Sequence, residues 1–333
     1  EGVSFTDGTP WNADALIANV NKWADKSLGL KRTTFLCNVL DHAEKVDDYT
    51  VTIYLSQSFG AFISNLAHPA TLIMSPKQIE AGEDACAQAP VGTGQYKFVE
   101  WVAGDHMKVE LNKDWWGYDA DVCGGTALAD ADAGFKSITF KPVAESATRV
   151  SAIQAGDAQI MWSVPTESVD TLKGDSNVSV GMGDSITVWY FFMNTQKAPF
   201  NDVKVREAMA YAINKEAYIQ VVMNGYGSVA TSMVGKAVQH YKGNDPYSYD
   251  PEKAKELLKE AGYPDGFTTT LMYSNTTANQ KKAEFYKQQL AEVGIDLELN
   301  GMENAVLNEK VQGADCAGAD AEVDCYISGW STS

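Results

Sequence analysis

Val188-Trp189-Tyr190-Phe191-Phe192-Met193 is an apolar run with no polar alternation. A strand apolar on both faces predicts burial on both faces, in the middle of a sheet. The pattern changes after it. Asp202 is placed to cap a helix carrying Val205, Ala208, Met209 and Ala212, and Asp250-Pro251 opens another helix that stops at Gly262. Thr268–Tyr273 reads as a strand, and Ala278–Val293 as a long helix ended by Gly294. Ile295–Leu299 is the next strand, and Asp324–Gly329 the last. Strands alternating with helices predict an α/β domain from residue 187 onward.

The earlier part is richer in hairpins. Asn12 can cap a helix in which Leu16, Val20 and Trp23 share one face. Tyr49, Val51, Ile53 and Leu55 alternate with Thr50, Thr52 and Tyr54, the pattern of a half-buried strand. Tyr96–Trp101 and Met107–Leu111 flank Ala103-Gly104-Asp105, a hairpin signal. A Gly/Ala/Asp-rich excursion, Asp119–Gly134, precedes a short strand at Ile138-Thr139-Phe140. Ser146 is then placed to cap a helix that ends at Gly156, and Asp157–Met161 reads as another strand. A length of 333 residues suits two domains. The changes of pattern set bounds at 1–117, 118–186 and 187–333. Glu1–Phe5 reads as a strand already under way, and Tyr326–Trp330 as one that has just reached a loop, so the expectation is a fragment lacking both ends.

Charge narrows the partners. Lys+Arg total 26 against 44 Asp+Glu, a net charge of −18. Such a chain repels phosphate backbones, which argues against nucleic acid as a partner, and it repels anionic lipid surfaces. No apolar run approaches the ~18 residues of a membrane-spanning helix. The five cysteines form no CxxC and no zinc spacing, so neither a metal nor a cofactor is expected. Cys316 and Cys325 flank a small polar loop, which predicts a bridge in an oxidising compartment. Cys86 and Cys123 could form a second, leaving Cys37 over; the alternative is five unrelated thiols.

Catalytic signatures are scarce. None of G-x-S-x-G, H-E-x-x-H or G-x-x-x-x-G-K-[ST] occurs. Gly92-Thr93-Gly94 runs into a strand-like segment, where a phosphate loop should open a helix. Two acids distant in sequence could still form a hydrolytic pair, which keeps a secreted glycosidase or peptidase as the alternative function. The aromatics are more suggestive. Trp11, Trp101, Trp115, Trp116, Tyr190 and Trp330 fall at strand ends or loops, where they either pack hairpins and core or line a cleft.

The ordered segments match a known pattern. Val3-Ser4-Phe5-Thr6-Asp7-Gly8-Thr9-Pro10-Trp11-Asn12-Ala13 resembles V-x-F-x-D-G-x-P-[FW]-x-A of the family 5 extracellular solute-binding proteins, the peptide and nickel receptors of ABC importers. Pro90-Val91-Gly92-Thr93-Gly94-Gln95-Tyr96-Lys97-Phe98 is similar to their P-V-G-T-G-P-Y-x-F, and Leu111–Gly117 follows it as it does there. Thr148-Arg149 with Gly156-Asp157, Asn194-Thr195 with Pro199–Ala208, Tyr249–Ala254 and Ala261-Gly262-Tyr263 continue the resemblance in family order over nearly the whole chain.

The resemblance implies an α/β, bilobal periplasmic-binding-protein-like fold (type II, cluster C), with mixed sheets, flanking helices and both termini incomplete. Residues 1–117 would belong to a smaller N-terminal lobe region, 118–186 to the first α/β lobe and 187–333 to a truncated second one. It implies a binding protein and not an enzyme, without a cofactor. The partners would be a small-molecule or oligopeptide ligand and the membrane subunits of an ABC permease. The full-length protein would be a monomer, in the periplasm or at the cell surface as a lipoprotein. By resemblance, Leu66–Thr71 runs along the cleft, with His68 and Ala70 as candidate lining residues; the other reading of His68-Pro69 is the end of a helix. Tyr190, Phe192 and Asn194 share one strand face near the lobe crossover, as ligand contacts or as core. Trp330, Ser331 and Ser333 match the family's pocket-lining G-W-x-x-D turn. Ser333 stands where the family has an acid able to pair with a peptide's α-ammonium group, so recognition of a free peptide amino terminus is in doubt.

Overall fold

The structure is a computed structural model that describes residues 1–30, 33–124, 134–313, 316 and 318–331. It divides into two compact units, Glu1–Ala144 and Glu145–Ser333. This differs from the bounds drawn at 117/118 and 186/187. The reason lies in one strand: residues 137–140 pair with the hairpin before them, which ties the chain up to Ala144 to the first unit.

In the first unit, α1 (Ala13–Ala24) starts where Asn12 accepts the Ala15 N–H at 3.1 Å. Its Val20 and Trp23 pack on Leu36, Val39 and Leu40. Strands β1 (Leu40–Asp47) and β2 (Thr50–Leu55) form an antiparallel pair, and Val51, Ile53 and Leu55 of β2 turn inward as alternation predicts, whereas Tyr49, expected on the same face, lies in the turn before β2 and is 55% exposed. β3 (Tyr96–Val102), β4 (His106–Leu111) and β5 (Ser137–Phe140) make a three-stranded antiparallel sheet. Gly104 sits in the β3–β4 turn with φ of 78°, a backbone conformation that glycine adopts without strain.

The second unit opens with α2 (Ser146–Ala155), which Gly156 stops at φ 79°. Ser146 is the first helical residue and not the cap; its hydroxyl accepts from the Arg149 guanidinium at 3.1 Å. Asp157–Met161, expected as a strand, is irregular, and Ile160 is left 77% exposed, because no described strand pairs with it. The sheet follows: β6 (Thr187–Met193), β7 (Phe267–Ser274), β8 (Ile295–Met302) and β9 (Cys325–Ser331), in the order β6-β9-β7-β8. β9, β7 and β8 run parallel, and β6 is antiparallel to β9.

Helices α3 (Val203–Ala212), α4 (Pro251–Glu260) and α5 (Thr277–Ala291) supply one side of the main core. They meet Leu271, Tyr273, Ile295, Leu297, Cys325 and Ile327 from the strands. Asp202 caps α3 through the Lys204 N–H at 2.8 Å, and Asp250 caps α4 through the Lys253 N–H at 2.9 Å. On the other sheet face, Leu307 of α6 (Asn304–Gln312) packs with Met272 and Val323. Met272 and its neighbours Leu271 and Tyr273 thus divide between the two cores, as alternation along a strand requires. One expectation fails here. β6 was expected in the middle of the sheet, yet among the described residues it pairs only with β9 and forms the edge.

Candidate functional site

Directly opposed residues of an antiparallel pair point to the same face. In the β6–β9 pair the partners are Val188 and Trp330, Tyr190 and Ser328, Phe192 and Tyr326. The register therefore brings Tyr190, Phe192 and Trp330 to one face, although Trp330 is far from the other two in sequence. Phe192 stacks on Tyr326 with centroids 4.6 Å apart and planes at 5°, and Tyr190 lies 5.4 Å from Phe192. The Tyr190 phenol donates to the Met233 carbonyl, and burial pushes its pKa up, so it remains a neutral donor at physiological pH. Trp330 ends this row with its residue 63% exposed. Beside it the hydroxyls of Thr187 and Ser331 are hydrogen-bonded at 2.6 Å.

The remaining candidates separate from this row. Asn194 donates its amide to the carbonyls of Gly318 at 3.0 Å and Val323 at 3.1 Å, and its Oδ1 accepts from Gln196 N–H at 3.2 Å. Its amide is occupied in fastening a loop. His68 and Ala70 belong to the first unit. His68 Nδ1 accepts the Ala70 N–H at 2.9 Å, and the ring packs edge-on against Phe35 at 4.9 Å. His68 thus holds the turn that follows residues 62–65. Ser333 lies outside the described residues.

A wide basin of about 2290 Å³ opens along the free edge of β6, entirely within the second unit. Consecutive residues Thr187–Phe191 line it, along the side of β6 away from β9. Its rim carries Trp162, 89% exposed, and Met233, 79% exposed. Lys215 and Asp245 form an ion pair at 2.5 Å within it. Neither stands out in the sequence: Trp162 falls just past the segment read as a strand, and Met233 lies beside Val234 in a stretch without alternation.

The third feature joins three elements. Trp189 on β6 is opposite Gly329 on β9. A Cβ at Gly329 would come within 3.3 Å of the indole, so glycine leaves the space the ring needs. Lys282 of α5 places its ammonium 3.0 Å from the centroid of that indole, a cation–π contact. The ammonium also donates a hydrogen bond to Asn279 Oδ1 at 3.1 Å. Lys282 is only 6% exposed, and burial alone lowers its pKa to about 8. Pattern reading missed it because a lysine on an amphipathic helix is normally solvated.

The family described as bacterial extracellular solute-binding proteins, family 5 Middle, matches residues 1–333. The chain belongs to that family. This family 5 chain is 38% identical over 334 residues to the glutathione-binding protein GsiB of Escherichia coli strain K12, covering 100% of the chain and 62% of GsiB. Among solved structures, it is similar to the periplasmic binding protein DppA from Helicobacter pylori in complex with the peptide STSA, with a TM-score of 0.83 and 25% identity over 99% of this chain and 65% of that one. AgaA of A. tumefaciens R10 in complex with agropinic acid gives a TM-score of 0.79 and 25% identity, over 98% of this chain and 63% of that one. The family 5 chain therefore spans 62% of the length of its GsiB relative.

The thiols of the family 5 chain correct one expectation. All five cysteines are free in the structure, and neither the Cys316–Cys325 nor the Cys86–Cys123 bridge is made. Cys325 is fully buried in the main core, where its Sγ contacts the Thr270 carbonyl at 3.2 Å and burial pushes the thiol pKa up. Cys316 instead lies near Tyr326, the next residue of β9 and so on the opposite sheet face. Close spacing around a loop does not overcome the alternation of the strand it enters. Among the described residues no group of three or more His, Cys, Asp or Glu could hold a metal ion.

Proposed function

We propose that this chain forms the ligand-holding part of an extracytoplasmic solute receptor that serves an ABC importer. It captures a peptide-like small solute and delivers it to a membrane permease. The observation that carries the reading is the aromatic row of Tyr190, Phe192 and Trp330, which the β6–β9 register assembles on one face and leaves partly open. Aromatic faces hold ligands of varied polar decoration through stacking and apolar contact, while a few polar groups fix orientation. The relatives' ligands have that character: glutathione, a tetrapeptide and agropinic acid are small, polar and carboxylated.

The 38% identity to GsiB makes a glutathione-like peptide the first ligand to test. The hydrolase alternative finds no support in these relatives, which are named as binding proteins. The permease subunits as partners, and a periplasmic or lipid-anchored location, belong to the same proposal. The test is calorimetry with glutathione, short peptides and opines, followed by thermal melts. A ligand present at a hundred times its Kd should stabilise the fold by about 2.7 kcal/mol. Turnover of a peptide or glycoside, with no ligand-dependent stabilisation, would return the hydrolase reading.

A further inference from the structure

We infer that Lys282 and Trp189 form a latch for an anionic ligand: a carboxylate entering the basin takes the Lys282 ammonium as its partner and turns the indole aside. The inference rests on the solute-receptor reading and adds the charge of the ligand group and the residue that meets it. Three observations carry it. Lys282 is a buried cation whose polar partner is a neutral amide, Asn279, at 3.1 Å. It forms no ion pair among the described residues, although the chain carries 44 acids. The indole resting against the ammonium at 3.0 Å belongs to Trp189, which lines the basin and is 45% exposed, so the ring stands between the cation and the open space.

The position also suits a ligand. β9, β7 and β8 are parallel, and their carboxyl ends lie together with the start of the antiparallel β6. Open α/β sheets hold ligands at the carboxyl ends of their strands. Trp189 and Trp330 lie at this end, and α5, which supplies Lys282, begins just after β7. A desolvated cation–π contact and a charge-assisted hydrogen bond to a carboxylate are of similar size, so a ligand can exchange one for the other. Gly329 matters to the exchange. A side chain there would press on the ring, whereas glycine leaves the indole free of a neighbouring Cβ.

The test uses the chain labelled with 5-fluorotryptophan, with the Trp189 resonance assigned by its loss in Trp189→Phe. Glutathione is titrated as the free acid and as its diethyl ester. The free acid should move the Trp189 fluorine resonance, and the ester should move it little. Lys282→Met should weaken binding of the acid at least tenfold and change binding of the ester less than twofold. Lys282→Arg, which keeps the charge, should retain the resonance change. Should Lys282→Met not fold, the contrast between acid and ester on the wild-type resonance decides alone. Binding of the acid with the Trp189 resonance unmoved overturns the latch and leaves the receptor reading standing. Equal loss of acid and ester binding in Lys282→Met also overturns it. If the wild-type chain binds neither form, the glutathione-like reading and the latch fall together.

Discussion

Trp330 and Lys282 lie at the same end of the sheet and make opposite predictions for stability. Trp330 is 63% exposed, so removing its ring uncovers little apolar surface. Trp330→Ala should lower stability by less than about 1 kcal/mol, far below the ~3–5 kcal/mol of a buried aromatic. If the aromatic row holds ligand, the same change should weaken binding by about 2 kcal/mol, the size of an interface hot spot. Calorimetric affinity and the urea midpoint of one preparation separate the two; a large fall in midpoint with unchanged affinity would make Trp330 a packing residue. Lys282 is the reverse case. Its amine titrates near pH 8 folded, against an ordinary 10.5. Below pH 8 both states hold the proton and the fold carries the full desolvation cost, on the order of 3 kcal/mol for a shift of this size. Between pH 8 and 10.5 the unfolded chain binds more protons, so stability rises with pH. Lys282→Met should therefore be more stable than wild type at pH 7, with the difference shrinking as pH rises toward 10.5. A difference that stays constant across that window would mean the amine is not desolvated.

At the scale of elements, what was legible in the sequence was local. Asn12, Asp202 and Asp250-Pro251 each announce a helix, and each side chain accepts the N–H that capping requires. Strand pairing is not local, and it is where reading failed. β6 is apolar on both faces because Phe191 packs on Tyr286 on one side, Phe192 stacks on Tyr326 on the other, and its edge faces the basin. The pattern reports burial without naming the neighbour. The candidate site was half legible for the same reason: alternation puts Tyr190, Phe192 and Asn194 on one strand face, of which Asn194 turns to the carbonyls of Gly318 and Val323, whereas the Trp189–Gly329–Lys282 group needs register and a helix to assemble. The loop before β9 shows another nonlocal device. Lys197 meets Asp324 at 2.6 Å, and Asp324 also accepts from Thr269 Oγ1 and Thr270 N–H, both at 3.1 Å. Burial alone would push the Asp324 carboxyl up, but Lys197 and the two threonine donors outweigh it and hold its pKa below the usual value. Its contribution is thus present above the ordinary carboxylate value of about 3.9 and lost as pH falls through the depressed one. Asp324→Asn should cost about 2 kcal/mol at pH 7. Urea midpoints should converge with wild type in strong acid, and a gap unchanged down to pH 2 would rule the carboxylate out as the cause.

For the chain as a whole, two forces act in opposition on its surface. Among the described residues β6 presents an unpaired edge, with no charge and no proline in its sequence, and its register with β9 runs unbroken from Thr187 to Met193. Such an edge is a template for another strand, and proteins usually blunt it with lysine, proline or a bulge. Ile160 at 77% exposure, Trp162 at 89% and Met233 at 79% add apolar surface around the basin beside it. Against this stands the net charge of −18, which makes two copies repel. Salt decides between them. At 0.01 M ionic strength the screening length is about 30 Å and the repulsion reaches across an encounter; at 1 M it is about 3 Å and only contact terms remain. The 333-residue chain should therefore run near its 36.1 kDa mass in dilute buffer and gain mass as salt and protein concentration rise. Light scattering behind a sizing column measures this. Trp162→Glu combined with Met233→Lys leaves the net charge unchanged and removes the two most exposed apolar side chains of the rim, so it should hold the chain monomeric to higher salt. A wild-type mass that stays at the monomer value at 1 M salt would show that the β6 edge and its basin do not associate, and a salt response identical in the double variant would place the contact elsewhere.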